Sequence, residues 1–413
     1  VSIEEGDYVI STYQPKGTLV RVLFEPNPEL VDSLTYDITA WEAHYAYGLD
    51  GYAVTGTVNT RPATITAEDE STPAINNPYA YLAKWNSMED LKYLARLLDE
   101  GVQVRYAEEA FTLNDDQYAP GTLIITRNGN ESLGDRFDTI VKEEADMLNR
   151  VVTPVTTGFV DSGKDFGSSS VRLIETPKVA LLSGEGTSSN MVGHIWNYFD
   201  QQINYPVTLI NVSDIGSVDW SDYHVVIMPS VYGSAVGDGD LNSIKNWVSE
   251  GGTLIAVDGA NGFLAGKDGF NLKRKERETN DENADPNDKL RAYGDSDRER
   301  IQYSNPGSIY EITMDPSHPL AFGYDDQYMS LKLGSTGYEY LDSGWNVGVA
   351  KKGAHRSGFV GNKALEALNN SLTFGVQNMG SGQVVYMIDN PLFRGFWHNG
   401  KLLFGNAVFF VGN

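Results

Sequence analysis

The sequence predicts an α/β protein whose C-terminal half contains a doubly wound parallel sheet. Residues 178–202 carry most of this prediction, because an apolar run suited to a buried strand is followed by a glycine turn and by apolar residues at helical spacing. Strand-like runs recur at 207–210, 223–229 and 253–257, with a helix predicted over 241–249. Strands that alternate with helices favour a parallel sheet with right-handed crossovers.

Composition bounds the size of the protein and excludes several classes of function. The chain has 413 residues, so two or three domains of about 150 residues each are expected. It contains no cysteine, which excludes disulfides, thiolate metal sites and a cysteine nucleophile. The formal net charge of −25 argues against a nucleic-acid partner, and no apolar run reaches the roughly 20 residues of a membrane span.

The N-terminal part is predicted to form a β-rich region, residues 1–60, and a small α/β unit, residues 61–175. In the first region, the apolar runs 8–11 and 19–24 are typical of strands, as is the alternating stretch 52–58. The crowded aromatics at 37–48 favour a packed core or an interdomain seam over a ligand site. The second unit has predicted strands at 79–83, 102–106 and 122–126, and predicted helices after Ser87 and over 135–148.

The third predicted domain, residues 176–413, contains the parallel sheet and one unusual segment. Residues 267–302 are rich in charged side chains and poor in large apolar ones, which predicts a partly mobile surface insertion. Regular structure is predicted again beyond it, with strands at 308–314, 346–350 and 383–388 and an apolar closing helix over 401–411.

Polar residues follow the predicted parallel strands and form a candidate ligand-binding crevice, because ligands of open α/β sheets bind beyond the C-terminal strand ends. Gly184 and Gly186 match only part of a dinucleotide fingerprint, since Ser189 occupies the third glycine position. A turn that positions a helix is the favoured interpretation. Backbone N–H groups at the helix start leave the binding of an anion or a small polar ligand open. The candidate residues are Gly184, Glu185, Gly186, Thr187, Ser188, Ser230 and Asp258.

Two further candidates follow the last predicted strand. Arg394 and His398 could line a polar pocket with Asp389, although an ion pair would also explain Arg394. None of the six histidines belongs to a zinc motif or a close histidine pair. We therefore predict no catalytic residue, no metal site and no cofactor within this chain.

Two other motifs have a simple structural interpretation. Asp238 and Asp240 are spaced as in a calcium loop, but Ser243 occupies the position of the required glycine. A helix cap explains Asp240 better. His318 lies between two prolines, in a rigid turn where a structural hydrogen bond is expected.

Several stretches, which together cover nearly the whole chain, resemble one known family. They are residues 6–48, 159–171, 183–199, 315–324 (DPSHPLAFGY) and 382–410 (with DNPLFRGFWHNGKLLFGNAVFF). They are similar to the region that follows the catalytic domain in large secreted bacterial zinc carboxypeptidases of the carboxypeptidase A-like family. The resemblance implies a zinc site upstream of Val1, an upstream catalytic domain as partner, and a secreted or periplasmic location.

Residues 176–413 also resemble class I glutamine amidotransferase-like domains, which implies a flavodoxin-like sheet. In that family a cysteine nucleophile follows a strand at an elbow, and the matching stretch here is Ala256-Val257-Asp258-Gly259-Ala260. Asp258 occupies the cysteine position, and a carboxylate does not replace the thiolate that forms the covalent intermediate. The resemblance therefore implies the fold without the activity.

These observations leave three hypotheses. The leading one is a non-catalytic accessory or substrate-binding C-terminal region of a secreted zinc metallocarboxypeptidase. The alternative is a stand-alone extracytoplasmic module that binds a saccharide or a peptide in the crevice. A third, a hydrolase that uses Asp258 with His398, requires the two side chains to meet in space.

Overall fold

The chain forms a small antiparallel sheet and a large mixed sheet, which confirms the α/β class. The computed structural model describes residues 3, 6–25, 28, 30, 32, 34, 37–62, 75–276 and 292–412. The largest buried apolar cluster contains side chains from both sheets and from helices, so the two sheets share one apolar core. Tyr106 of the small sheet, for example, stacks on Phe410 near the C-terminus with ring centroids 4.5 Å apart.

The N-terminal segment contains two short helices, α1 (Gly17–Leu23) and α2 (Ala43–Ala46). Among its described residues no strand forms, so the strand predicted at 19–24 is wrong, and 8–11 and 52–58 are not strands either. Leu19 and Val22 are half exposed. With no neighbouring strand to pair with, the backbone here satisfies its hydrogen bonds within the helix.

The aromatic stretch at 37–48 packs against the large domain, as the seam interpretation predicts. Trp41 stacks on Phe396 with ring centroids 5.8 Å apart, and Tyr47 stacks on His398 at 4.4 Å. This segment is therefore part of the folded body of the protein.

The small α/β unit has a five-stranded antiparallel sheet in the order β6-β1-β5-β2-β7, and a separate pair of strands, β3 and β4. Ser87 caps the first helix, as predicted, and Gly101 follows the end of this helix at φ +77°. The elements are β1 (Ala80–Ala83), α3 (Met88–Asp99), β2 (Arg105–Ala107), β3 (Phe111–Leu113), β4 (Asp116–Tyr118), β5 (Leu123–Thr126), α4 (Arg136–Met147), β6 (Thr153–Val155) and β7 (Val171–Leu173).

The large domain supplies the remaining strands and helices. None of the helices in the described ranges is long and apolar enough to cross a membrane. The elements are β8 (Val179–Ser183), α5 (Ser189–Asn197), β9 (Val207–Asn211), β10 (Val225–Met228), α6 (Asp238–Ser249), β11 (Thr253–Val257), α7 (Gly259–Leu264), α8 (Ser296–Ile301), β12 (Ser308–Met314), β13 (Gln327–Lys332), β14 (Trp345–Ala350), β15 (His355–Ser357), α9 (Asn362–Leu368), β16 (Ser371–Met379), β17 (Gly382–Met387) and α10 (Asn399–Phe409).

The large sheet is parallel in one half and antiparallel in the other. Its order is β13-β12-β14-β16-β17-β11-β10-β8-β9, with β15 paired to β12. The five strands β9, β8, β10, β11 and β17 are parallel, in the chain order 2-1-3-4-5 of a flavodoxin-like sheet. Helices α5 and α10 bury their apolar side chains on one face and α6 and α7 on the other, so this half is doubly wound, as predicted.

The charged insertion is only partly a surface feature. Residues 277–291 lie outside the described part of the chain. Before them, Phe270 and Leu272 are buried in the large domain, and Arg274 forms a β-bridge with Tyr338. The predicted start of the insertion at 267 is therefore too early, because two apolar side chains anchor this stretch despite its charged neighbours.

The closing helix α10 is buried on nearly all sides and ties the two sheets together. Its Asn406 is fully buried. The side-chain oxygen of Asn406 accepts a hydrogen bond from Trp85 Nε1 at 2.8 Å, and its Nδ2 donates to the carbonyls of Leu320 and Phe322 at 3.0 and 2.7 Å. One amide thus satisfies polar groups from both units.

Replacing Asn406 by leucine is expected to lower the free energy of unfolding by about 2 kcal/mol, because three buried polar groups lose their partner. Denaturant unfolding measures the change. The matched control is Asn242→Leu on the exposed side of α6, which is expected to change stability by less than about 0.5 kcal/mol. Equal effects of the two substitutions would contradict the structural role of Asn406.

Candidate functional site

The C-terminal ends of the parallel strands bring the predicted crevice residues to one edge of the sheet. β8 is followed by residues 184–188, β10 by Ser230, β11 by Asp258 and β17 by Asp389. Because β11 and β17 pair directly in parallel, Asp258 and Asp389 leave the sheet side by side. The strand order places the switch point, where such sheets bind ligands, between β8 and β10.

The glycine loop after β8 is hydrogen-bonded to the end of β10. The Ser188 N–H donates to the carbonyl of Ser230 at 2.9 Å, and the Ser188 side chain caps α5. Gly184 and Gly186 have φ of +92° and +88°, and a Cβ on Gly186 would lie 2.3 Å from Ala235 Cβ. Both positions therefore require glycine. The predicted role of this turn in positioning a helix is confirmed.

Asp258 forms a strained elbow between β11 and α7. Its φ of +51° and ψ of −117° lie in a region that residues other than glycine rarely adopt, at a cost of roughly 1–3 kcal/mol. The buried Asn261 side chain holds the elbow, because its Nδ2 donates to the backbone oxygens of Ala256, Asp258 and Met387 at 3.2, 3.0 and 2.7 Å. Strain that neighbouring contacts maintain in this way is typical of functional positions.

The backbone N–H that follows the elbow is already bonded. In enzymes with a nucleophile elbow, the N–H of the residue after the nucleophile contributes to the oxyanion hole. Here that residue is Gly259, and its N–H donates to Ser230 Oγ at 2.9 Å. The site thus has the backbone of a nucleophile elbow, but one of the donors that such chemistry needs is occupied.

A buried ion pair lies beside the elbow. Lys332 Nζ is 2.8 Å from Asp389 Oδ1, and Ser330 Oγ donates to Asp389 Oδ2 at 2.6 Å. The side chains of Lys332 and Asp389 are only 2% and 6% exposed. Each oxygen of the Asp389 carboxylate therefore has a buried partner, the Lys332 ammonium on one and the Ser330 hydroxyl on the other.

The two carboxyl groups of the site have different environments. Burial, and then the negative charge of Asp389, raise the pKa of Asp258 to about 6, while the charge of Lys332 opposes the increase. Asp258 is partly exposed, unlike Asp389. Near pH 6 it can therefore act either as a hydrogen-bond donor or as an acceptor toward a bound polar ligand.

Arg394 lies close to the same edge of the sheet. It occupies a short turn with φ of +48°, and its guanidinium lies 5.0 Å from the Phe393 ring. Burial, and then the charge of Arg394, lower the pKa of His194 on α5. His194 Nδ1 lies 3.1 Å from Asn390 Nδ2, in the loop that follows β17.

His398 lies in a different environment from Asp258. Its ring stacks on Tyr47, and its Nδ1 lies 3.1 Å from Lys401 Nζ. These residues line a large cavity, which Asp258 does not line. The charged groups that act on Asp258 are Asp389 and Lys332, so the structure does not bring together the pair required by the hydrolase hypothesis.

The other sequence motifs have structural roles. Asp240 is not the N-cap residue that the sequence predicts, because α6 begins at Asp238, three residues before the predicted start. Asp240 lies in the first turn and accepts a hydrogen bond from the N–H of the N-cap residue Gly237 at 3.2 Å. The His318 ring accepts from the Leu320 N–H at 3.1 Å, and burial lowers its pKa to about 4. Across the described ranges, no group of three or more histidine or acidic side chains is arranged to hold a metal ion.

The sequence did not reveal two members of the site, Lys332 and Ser330. Both lie on one face of β13. The only local sequence signal that could have indicated them is their alternation with the apolar residues Met329 and Leu331. Lys332, on this antiparallel strand, is 57 positions from its partner Asp389 in sequence. Asn261 was also missed, because nothing local distinguishes a buried amide from an exposed one.

Comparisons with known proteins add little to this geometry. No protein-family model matches the sequence, and no curated protein matches it. A ThuA-like protein from Bacteroides uniformis is 10% identical, with a TM-score of 0.34 over 56% of this chain and 89% of its own. A glutamine amidotransferase from Thermotoga maritima is 8% identical, with a TM-score of 0.34 over 57% and 99%. A β-galactosidase from Bacillus circulans sp. alkalophilus is 14% identical, with a TM-score of 0.33 over 70% of this chain and 36% of its own.

These TM-scores are too low to support an argument. The α/β assignment follows instead from the strand order and from the helices on both faces of the sheet. The elbow after β11 agrees with the amidotransferase-like fold that the sequence predicts.

Proposed function

We propose that this chain is a non-catalytic accessory or substrate-binding region of a secreted zinc metallocarboxypeptidase. The observation that carries the non-catalytic part is the bonded N–H of Gly259, which donates to Ser230 Oγ. Asp258, at the nucleophile position, also offers no thiolate. The carboxypeptidase part rests on the sequence stretches that resemble that family. Zinc and its ligands are expected in an upstream catalytic domain of the same polypeptide.

The non-catalytic part predicts no turnover by the purified chain. With zinc added, the wild-type chain and the Asp258→Asn variant are expected to show the same rates at every pH, both for glutamine hydrolysis and for release of C-terminal residues from peptides. Asp258→Asn is the matched control because it removes the carboxylate and retains the shape of the elbow residue. An activity that the wild-type chain has and the variant lacks would contradict this part of the proposal.

The carboxypeptidase part has a separate test. The coding DNA immediately upstream of the Val1 codon is expected to encode a signal peptide, a His-x-x-Glu motif and a later histidine. A start codon directly before Val1 would refute this part and leave the non-catalytic part standing.

The second candidate function is a stand-alone extracytoplasmic module that binds a saccharide or a peptide in the crevice. It is favoured by the strained elbow, which lies at the strand ends of a flavodoxin-like sheet. Ligand titration against the Ser188→Ala/Asp258→Asn double variant tests it. Loss of affinity in the double variant supports the crevice as the site, and unchanged affinity excludes it.

A further inference from the structure

A cavity of about 1040 Å³ lies away from the crevice, where the N-terminal segment meets both α/β units. Its wall includes Tyr47, the start of α3, the chain after α5 at Gln201 and Gln202, the loop before β13, and the start of α10. The crevice residues 184–188, Ser230 and Asp258 do not line it. A cavity of this size accommodates a small-molecule ligand.

Lys401, in the first turn of α10, is a buried cation on the cavity wall. It is 5% exposed, and its Nζ contacts His398 Nδ1 at 3.1 Å. Within the part of the chain that the structure describes, no carboxylate oxygen lies within 4 Å of this Nζ. Lys332, which is similarly buried, has Asp389 as its counter-ion.

A buried ammonium without a counter-ion is unfavourable, and an anion brought into the cavity would remove much of that penalty. Burial, and then the charge of Lys92, lower the pKa of Lys401, while Glu89 opposes this. Lys92 already pairs with Glu89 at 3.4 Å, so its own charge is largely balanced. Among the cations of this wall, Lys401 is therefore the one that a bound anion would stabilise most.

The backbone around Lys401 is held firmly. The Lys401 carbonyl accepts a hydrogen bond from the Tyr198 hydroxyl at 3.0 Å. The Tyr324 hydroxyl donates to the carbonyl of Asn399 and accepts from the Leu403 N–H at 2.8 Å. The ammonium is therefore presented from a fixed helix turn, which lowers the entropic cost of binding a ligand.

The negative and positive side chains of the cavity lining differ in exposure. The acidic residues Asp50, Asp325 and Asp326 are exposed, whereas the Lys401 ammonium is buried. Amides at Gln201 and Gln202 add hydrogen-bonding groups. A matching ligand carries an anionic group at its inner end and a cationic or amide group toward the exposed acids.

We propose that this cavity binds an α-amino carboxylate, with the carboxylate against the Lys401 ammonium. The ligand is a free amino acid, whose ammonium faces Asp325 and Asp326, or the C-terminal residue of a peptide. This site is separate from the crevice, and it does not depend on whether the chain is catalytic.

The test uses three pools of ligands at millimolar concentration: the twenty L-amino acids, their amides, and their N-acetyl derivatives. Thermal unfolding of the whole chain detects binding, because a ligand that binds the folded state raises Tm. The free acids are expected to raise Tm and the amides are not. Stabilisation by N-acetyl derivatives as well identifies a peptide C-terminus, and stabilisation by free acids alone identifies a free amino acid. No stabilisation by either acid pool, or equal stabilisation by the amides, overturns the proposal.

Variants then locate the site. Lys401→Met is expected to weaken binding roughly 10- to 100-fold, because a hydrogen-bonded charge contact to the ligand is lost. Lys401→Arg retains the charge and most of the affinity. Lys363→Met, an exposed lysine on α9, is the matched control and leaves the affinity unchanged. Unchanged binding by a folded Lys401→Met protein overturns the proposal.

A second variant keeps the test decisive if Lys401→Met does not fold. Asp325→Asn/Asp326→Asn changes two exposed side chains and is expected to preserve the fold. It should weaken binding of a free amino acid several-fold and leave N-acetyl derivatives unaffected. Unchanged binding of the free amino acids by this variant rejects the proposed orientation of the ligand.

Discussion

Replacing Lys332 by methionine is expected to lower the free energy of unfolding by about 3–5 kcal/mol. The physical reason is the buried pair that Lys332 forms with Asp389 at 2.8 Å, with both side chains less than a tenth exposed. Removing the ammonium leaves the Asp389 carboxylate in a low-dielectric environment, where Ser330 Oγ still donates a hydrogen bond to it at 2.6 Å. Denaturant unfolding at neutral pH measures the loss.

Two controls distinguish the loss of the ion pair from the loss of any lysine. Lys363→Met removes an exposed lysine that pairs with Glu366 at 3.3 Å, and it is expected to cost less than about 1 kcal/mol. The double variant Lys332→Met/Asp389→Leu removes both buried charges and is expected to recover most of the stability. A double variant as unstable as Lys332→Met alone would mean that lost packing, and not an unpaired charge, causes the effect.

Stability is expected to fall by about 3 kcal/mol between pH 3 and pH 7 through Asp258 alone. Burial, reinforced by Asp389, raises its folded-state pKa from 3.8 to about 6, so folding favours the protonated carboxyl. The contribution is therefore full well below the unfolded-state pKa of 3.8, and it is lost as pH rises from there through the folded-state pKa of about 6. The gap between the two pKa values corresponds to about 3 kcal/mol, at 1.36 kcal/mol for each pH unit.

The measurement is the free energy of unfolding of the wild-type chain minus that of Asp258→Asn, as a function of pH. Other carboxylates titrate in both proteins, so their effects largely cancel in the difference. The difference is expected to decrease from pH 3 to pH 7, with half of the change complete near pH 5, midway between the unfolded-state and folded-state pKa values. A flat difference would show that Asp258 titrates normally in the folded state. Because Lys332 opposes the increase in pKa, Lys332→Met should move this midpoint to higher pH.

Local signals were sufficient to predict much of the fold. The β8–α5 unit, the capped helix α3 and the closing helix α10 were all predicted, because apolar spacing, N-caps and glycine stops act over a few residues. The strand prediction at 19–24 failed because it also used only local signals. The apolar run there has no strand to pair with, and only the folded structure shows this.

The crevice could be predicted in outline, because parallel strands place their C-terminal ends at one edge of a sheet. The sequence therefore brought Ser188, Ser230 and Asp258 into one hypothesis. Their chemistry depends on contacts that no local pattern contains. The Gly259 N–H reaches Ser230 Oγ across 29 positions of sequence, and this bond occupies a donor that elbow chemistry needs.

Short-range spacing and residue type are sufficient to predict the doubly wound half of the sheet, the glycine turn and the aspartate at the elbow. The pairing of charges depends instead on how distant segments pack, which the folded structure shows. It brings Lys332 to Asp389 across 57 positions of sequence and places Lys401 in a cavity wall with His398. Burial and the distance to a counter-ion set the energy of a charge, and both arise only when distant segments pack together.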